Sequence, residues 1–471
     1  MKKLLIIILC LCMLFSLAAC GKKKQGPQGE PGKDGINGID GKDGVTPTIE
    51  ISDDGYWVIN GEKTDTKAVG TDGKDSASAS DENPYGLEFE MIDYSYVVSM
   101  CETTSENIVI PETYKGRAVV GIKDNAFRGL VNIKSVTIPD TVTSIGNHAF
   151  EGCTSLTSVT IPDSVTYIGY EAFYNCANLT SVTIGTGVTS IGSYAFSSCT
   201  SLTSVTIPDS VTSIGGYAFN GCTSLASIDV DPDNAYYKSI DGNLYNKDGK
   251  ILIRYAPGKT DTTFSIPDGV TSISDYAFDE CTSLTSVTIP DSFTSISNYA
   301  FYGCTNLASV TIPDSITSIS DYVFDKCTSL ASIDVDPDNA YYKSIDGNLY
   351  NKDGKTLIRY APGKTDTTFS IPDGVTSIRY KAFSGCTNLA SVTIPDSFTS
   401  IGSSAFSNCS SLASVVIPDS VTSIGYEAFY GCSSLTTINY CGTEAQWNAI
   451  TKYSDWDYGT GDYTIVYNYN G

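Results

Sequence analysis

The chain has 471 residues, 41% of them apolar and 17% charged, with 31 tyrosines and 42 glycines. It is too long for one ordinary compact core, and this mix suits stacked strands and turns better than long helices. A net charge of −24 excludes a nucleic-acid partner, because phosphates need basic groups; the acidity reads as the solubility of a long, flat surface.

The N-terminus opens on Met1, Lys2 and Lys3, followed by an apolar run from Leu4 to Ala19. That run is short for a membrane span and has the layout of a signal peptide. Leu17, Ala18, Ala19 and Cys20 resemble a bacterial lipobox. The resemblance implies that residues 1–19 are a lipoprotein signal peptide and that Cys20 becomes the lipidated first residue of the mature protein. The alternative is an ordinary secretory signal with an incidental cysteine. Acyl chains on Cys20 would anchor the protein to the membrane, and Lys22, Lys23 and Lys24 would add attraction to anionic lipid. No other stretch has the length and apolarity of a span.

Residues 20–46 carry glycine at every third position: Gly26, Gly29, Gly32, Gly35, Gly38, Gly41 and Gly44. The stretch resembles a short bacterial collagen-like segment, in which only glycine fits the crowded axis of the triple helix. Two readings stay open, an extended spacer and a weak trimer. Residues 47–70 then read as a small β module. Ile49 to Ile51 alternates, Asp53-Asp54-Gly55 turns, Tyr56 to Ile59 forms a second strand, and Asn60-Gly61 signals a hairpin. Residues 71–84 are rich in Asp, Ser, Ala and Gly and read as a linker.

Repetition governs the rest. Phenylalanine, preceded by Ala or once by Val, recurs at 127, 150, 173, 196, 219, 278, 301, 324, 383, 406 and 429. The step is 23 residues except for two steps of 59. One unit runs Leu156, Val159, Ile161, Pro162-Asp163, Val165, Ile168, Ala172-Phe173, Cys176. Its apolar side chains can all point inward, yet a lone unit buries too little to offset the ordering of its backbone. Stacking of neighbours is therefore obligatory, with strands about 4.8 Å apart. Pro-Asp supplies the turn between the strands.

This template resembles the BspA-like class of leucine-rich repeats over residues 85–471. The resemblance implies a leucine-rich-repeat solenoid: a β-rich, right-handed coil of 23-residue units with short helical or 3-10 turns. Residues 85–122 read as its N-terminal cap, 123–439 as the array and 440–471 as the C-terminal cap. The two long steps add a β-hairpin each, making extended units near 228–266 and 333–371. Gly242 to Asn246, a Lys247-Asp248-Gly249-Lys250 turn, and Ile251 to Tyr255 read as strand, turn, strand. The second copy runs from Gly347 to Tyr360, 105 residues later, as a duplicated block would.

Chemistry is sparse. The sole histidine, His148, shares a repeat column with Glu171, Tyr194, Tyr217 and Tyr276 and reads as a surface variant. No nucleophile elbow, phosphate loop or HExxH pattern occurs. Cys153, Cys176, Cys199, Cys222, Cys281, Cys304, Cys327, Cys386, Cys409 and Cys432 fill one column, with Leu130 in the first unit. Parallel thiols one strand apart suit neither zinc nor disulfides and read as a buried ladder. Cys101 and Cys441 lie outside it. Asp140, Asp163, Asp209, Asp268, Asp291, Asp314, Asp373, Asp396 and Asp419 form a further column, read as turn-formers rather than a calcium ladder.

Two surfaces remain as candidates for binding. Ser158 with Thr160, and Ser204 with Thr206, lie on the strand face opposite the core and would stack into a flat hydroxyl surface. Tyr236, Tyr237, Tyr245 and Tyr255 gather near the first hairpin, and Tyr341, Tyr342, Tyr350 and Tyr360 near the second. Tyrosine joins apolar area to a hydrogen-bonding tip, which suits recognition; the alternative is that half or more of the eight pack the hairpins onto the solenoid. The expectation is a lipid-anchored cell-surface binding or adhesion protein for host or microbial protein ligands, a partner class implied by the resemblance. Glycan capture at the envelope and a purely architectural spacer are the alternatives. No enzyme activity, cofactor, metal site or nucleic-acid partner is expected.

Overall fold

A computed structural model describes residues 49–51, 56–59, 62–67 and 85–470. The signal peptide, Cys20, the collagen-like stretch and the linker lie outside the described residues. The chain divides into two units, residues 1–74 and 75–471. In the first, β1 (Ile49–Ile51), β2 (Tyr56–Ile59) and β3 (Glu62–Lys67) form an antiparallel meander.

The second unit opens on the hairpin of β4 (Leu87–Ile92) and β5 (Ser95–Cys101). Its turn places Asp93 and Tyr94 at φ +46° and +69°, the left-handed pair a two-residue hairpin needs. Strand β5 then pairs in parallel with Arg117–Ile122, and that strand starts the coil.

Each coil has three sides. The first is a strand such as Ser158–Ile161, which alternates exposed and buried residues. It pairs in parallel with the strand 23 residues on, Ser158 with Ser181 and Ile161 with Ile184. The second is a two-residue strand such as Tyr167–Ile168, likewise in register with its neighbours. The third is the Ala-Phe turn, where the Phe173 N–H donates to the Ala195 carbonyl at 2.8 Å and the Phe196 N–H to Ala218 at 2.9 Å. Between the insertions each coil thus borrows both core and hydrogen bonds from the next, as the sequence demanded. The phenylalanines stack at 4.8, 5.0, 5.3 and 5.8 Å between centroids from Phe127 to Phe219.

The third side is made of single turns closed by i+3→i bonds, such as the Tyr174 N–H to the Glu171 carbonyl at 3.0 Å, the 3-10-type alternative of the two expected. They are kept from joining into a helix by left-handed residues, at φ +56° in His148, +53° in Glu171 and +57° in Tyr194. A left-handed residue cannot continue a right-handed helix. Among the described residues the one α-helix is α1 (Glu444–Ala449), closed by a capping box between Thr443 and Gln446.

The cysteine ladder is buried. Eight of the ten thiols donate to the phenylalanine carbonyl of the preceding coil, such as Cys176 to Phe150 and Cys199 to Phe173, both at 3.2 Å; the other two, Cys281 and Cys386, follow the coils of Tyr255 and Tyr360. The column therefore wants a small apolar side chain with a weak donor. Burial pushes the Cys153 thiol up to about 12, so these groups stay protonated.

The long steps hold more than a hairpin. Strands β6 (Tyr237–Ile240), β7 (Asn243–Asn246) and β8 (Ile251–Arg254) form an antiparallel meander, and β8 rejoins the coil in parallel with Ser272–Ile273. The second copy has β9 (Tyr342–Ile345), β10 (Asn348–Asn351) and β11 (Thr356–Arg359). Strands β6 and β9 went unread in the sequence. Buried Asn234 ties the first meander down: its amide donates to the carbonyls of Pro208 (2.7 Å) and Val211 (2.9 Å) and its oxygen accepts from the N–H groups of Tyr236 and Tyr237. Asn339 repeats this in the second.

After each meander Tyr255 and Tyr360 take the place of phenylalanine. Tyr255 stands 23 residues before Phe278, its N–H donates to the Ala277 carbonyl at 2.9 Å, and its ring stacks on Phe278 at 5.4 Å. Tyr360 does the same with Ala382 and Phe383. Each 59-residue step is therefore one enlarged coil followed by one ordinary coil. The core accordingly falls into three clusters, divided between Leu244 and Tyr245 and between Leu349 and Tyr350.

Candidate binding faces

The structure separates the predicted tyrosines. Tyr245, Tyr255, Tyr350 and Tyr360 are at most 1% exposed and are core residues, not the surface groups expected. Burial pushes the phenols of Tyr245 and Tyr350 up to about 12. Tyr237 is half-buried and its hydroxyl accepts the Ile214 N–H at 2.9 Å. The buried Tyr342 accepts the Ile319 N–H at 3.0 Å. Both fasten a meander to the coil before it. Only Tyr236 and Tyr341, at 52% and 51% exposure, face water among the eight. Ser158, Thr160, Ser204 and Thr206 are all exposed and stack in register along one sheet.

A face that sequence reasoning missed has more architecture. The left-handed column, two residues before each phenylalanine, holds Tyr194, Tyr217, Tyr276, Tyr299 and Tyr322 in succession, at φ +53° to +63°. Their half-buried rings form one ladder, with centroids 4.8, 5.0, 4.5 and 4.5 Å apart. The rings of Tyr217 and Tyr276 meet although the first insertion lies between them in sequence. Lys381 closes the far end with its Nζ 4.8 Å over the Tyr322 ring, and Lys326 lies 4.7 Å over Tyr302. The ladder lines a groove of about 670 Å³ that also takes in Tyr174, Asp279, Glu280 and Asn408.

Three of the ladder's contacts are face-to-face stacks, so ring faces are spent on each other and what the groove receives is ring edges and hydroxyls. Burial raises the phenols of Tyr217, Tyr276 and Tyr299, and the hydroxyls remain neutral donors and acceptors. A left-handed backbone is unusual for tyrosine and costs on the order of 1 kcal/mol or more per residue. The signal was present as Tyr at a fixed offset from Phe. It was hidden because the column was read only as the background of His148.

A second cavity, about 550 Å³, lies at the first insertion between Ile214, Phe219, Leu244, Ile253 and Arg254. At the second insertion the matching space is about 30 Å³.

The matches of a family model decide the relationship. The BspA type leucine rich repeat region matches residues 120–247, 258–352 and 363–454 in six copies. The chain belongs to the BspA-type leucine-rich-repeat family. It is similar to a leucine rich cell surface protein from Faecalibacterium prausnitzii (31% identity, 78% of this chain and 96% of that one, TM-score 0.40). It is also similar to leucine-rich repeat proteins from Eubacterium ventriosum (26%, 75% and 95%, 0.47) and Bacteroides ovatus (26%, 81% and 98%, 0.42). No curated protein matches the chain. BspA-type solenoids are binding and structural scaffolds, not enzymes.

Proposed function

We propose that this protein is a cell-surface receptor or adhesin that recognises a protein ligand through its tyrosine face. The observation that carries the reading is the unbroken tyrosine ladder over a groove, held in a strained backbone and continued across the first insertion. Hydroxyl-tipped aromatic edges offer apolar area and hydrogen bonds together, the mixture that dominates protein recognition. Because the rings face each other, they are poorly disposed to stack on a sugar, which favours a polypeptide over a glycan. Attachment through a lipidated Cys20, with residues 20–46 as spacer or weak trimer, would set the array off the membrane.

The test is a screen of the tag-free protein against purified extracellular-matrix and microbial surface proteins, alongside a glycan array. Saturable binding to a protein is expected. Saturable binding to glycans alone would replace this reading with envelope glycan capture, and no ligand in either screen would leave an architectural spacer.

A further inference from the structure

The left-handed column opens on Asn125 and holds, before its tyrosines, His148 and Glu171 on consecutive coils. The backbone holds both side chains in place, the His148 N–H donating to the Tyr170 carbonyl at 2.8 Å and the Glu171 N–H to Ser193 at 3.0 Å. Glu151, three residues after His148, completes a cluster. Its Oε2 lies 2.6 Å from His148 Nδ1, and Glu171 Oε2 lies 3.2 Å from the same nitrogen. One carboxylate is oriented from behind: Arg128 holds the other oxygen of Glu151 at 2.8 Å. All three side chains are half-buried, at 27%, 17% and 19% exposure.

We propose that His148, Glu151 and Glu171 bind a divalent transition-metal ion, with zinc or manganese as the chemical type. One ligand atom from each lies within 4.8 Å of the others. Bonds of about 2.0–2.2 Å to a tetrahedral centre put ligand atoms roughly 3.3 Å apart, which small side-chain rotations reach. Two carboxylates converging on one nitrogen concentrate negative charge that a dication neutralises. An imidazole nitrogen with two carboxylate oxygens suits zinc, manganese or cobalt rather than calcium or magnesium, which take oxygen alone. The Glu151 oxygen held by Arg128 is the outer-shell support such sites use. The metal takes the neutral imidazole, so an imidazolium gives its proton to solvent on binding. Three protein ligands leave a coordination position open to a further group. The proposal is independent of what the tyrosine face binds.

The experiment is isothermal titration of the EDTA-stripped, tag-free full chain with zinc chloride, then with manganese and calcium chlorides, and melting curves for each. One zinc or manganese ion per chain is expected, with a raised melting temperature and markedly weaker calcium binding. His148→Ala and Glu171→Gln should each weaken zinc binding by about tenfold or more, with the circular dichroism spectrum unchanged. Glu171→Gln nearly preserves shape, so the test survives if His148→Ala fails to fold. No zinc or manganese binding, or binding that both variants leave intact, would overturn the site.

Discussion

The two insertions share nearly one sequence and differ in where they put charge. At the first, Arg254 is buried against Asp279 of the following coil, 3.6 Å away, and also caps the Tyr276 carbonyl. At the second, the acid has moved to the preceding coil: Arg359 meets Asp325 at 3.8 Å, and Lys381 reaches the same carboxylate at 2.8 Å. Asn220 and Asp325 are equivalent positions 105 residues apart, as are Asp279 and Ser384. The cavities diverge for a related reason. Arg379 crosses the second junction to Asp321 at 2.9 Å and caps the Ile319 carbonyl at 3.1 Å, whereas Ser274 and Gly216 occupy those positions in the first. A duplicated junction can keep its backbone while one copy is sealed by long charged side chains and the other left open.

Removing the buried arginines should break this comparison most visibly. Arg254→Ala strands Asp279, and a buried pair broken on one side costs about 3–5 kcal/mol. Arg359→Ala should cost roughly 1 kcal/mol less, since Lys381 still neutralises Asp325. Denaturant midpoints of the two variants check the order. Burial already raises the Asp279 carboxyl above its ordinary 3.8 more than Arg254 lowers it. Without the arginine it rises further, so the folded state binds the proton more tightly than the unfolded state. The deficit of Arg254→Ala should therefore shrink as pH falls through the raised carboxyl's titration toward its ordinary range.

Exchanging the seals sharpens the comparison at a smaller scale. Arg379→Ser with Asp321→Gly should open the second cavity toward the size of the first, at a cost of about 1 kcal/mol for a half-exposed pair. Gly216→Asp with Ser274→Arg should close the first with a change of similar size and opposite sign. Crystal structures of both double variants would measure the cavities, and unchanged volumes would remove the explanation.

The smallest effect serves as a control. The hydroxyls of Tyr245 and Tyr350 are buried without a hydrogen-bond partner among the described residues, in matching surroundings. Tyr245→Phe and Tyr350→Phe should both lie within about 0.5 kcal/mol of the parent and agree with each other. The cysteine ladder acts uniformly across both junctions. The thiols of Cys153, Cys176 and Cys409 are held above their ordinary 9.0 by burial, so stability should be constant below about pH 9 and fall as pH rises beyond it, where unfolded thiols ionise. Thiol titration with a disulfide reagent should find the column unreactive until the protein unfolds.

The coil was legible because its causes are local and repeated: Val159 and Ile161 point inward, Ser158 and Thr160 outward, and 23 residues later the pattern returns. Tyr255 and Tyr360 were misread because the insertions break the count. Their spacing to Phe278 and Phe383 is the standard one, but their distance from Phe219 and Phe324 is not. The tyrosine ladder was obscured in the same way, since Tyr217 and Tyr276 are spatial neighbours separated by a whole meander. The His148 cluster draws Glu151 from the next turn and Glu171 from the next coil, a convergence that a column-by-column reading takes apart.

Binding of the partner found by screening, compared between Tyr217→Ser with Tyr276→Ser and a control with Ser158→Ala and Thr160→Ala, tests the tyrosine face most directly. Loss of about tenfold or more in affinity is predicted for the tyrosine pair, since large aromatic contacts carry most interface energy, with little change in the hydroxyl-face control. Full affinity in the tyrosine variant, or loss in the control alone, would contradict the account.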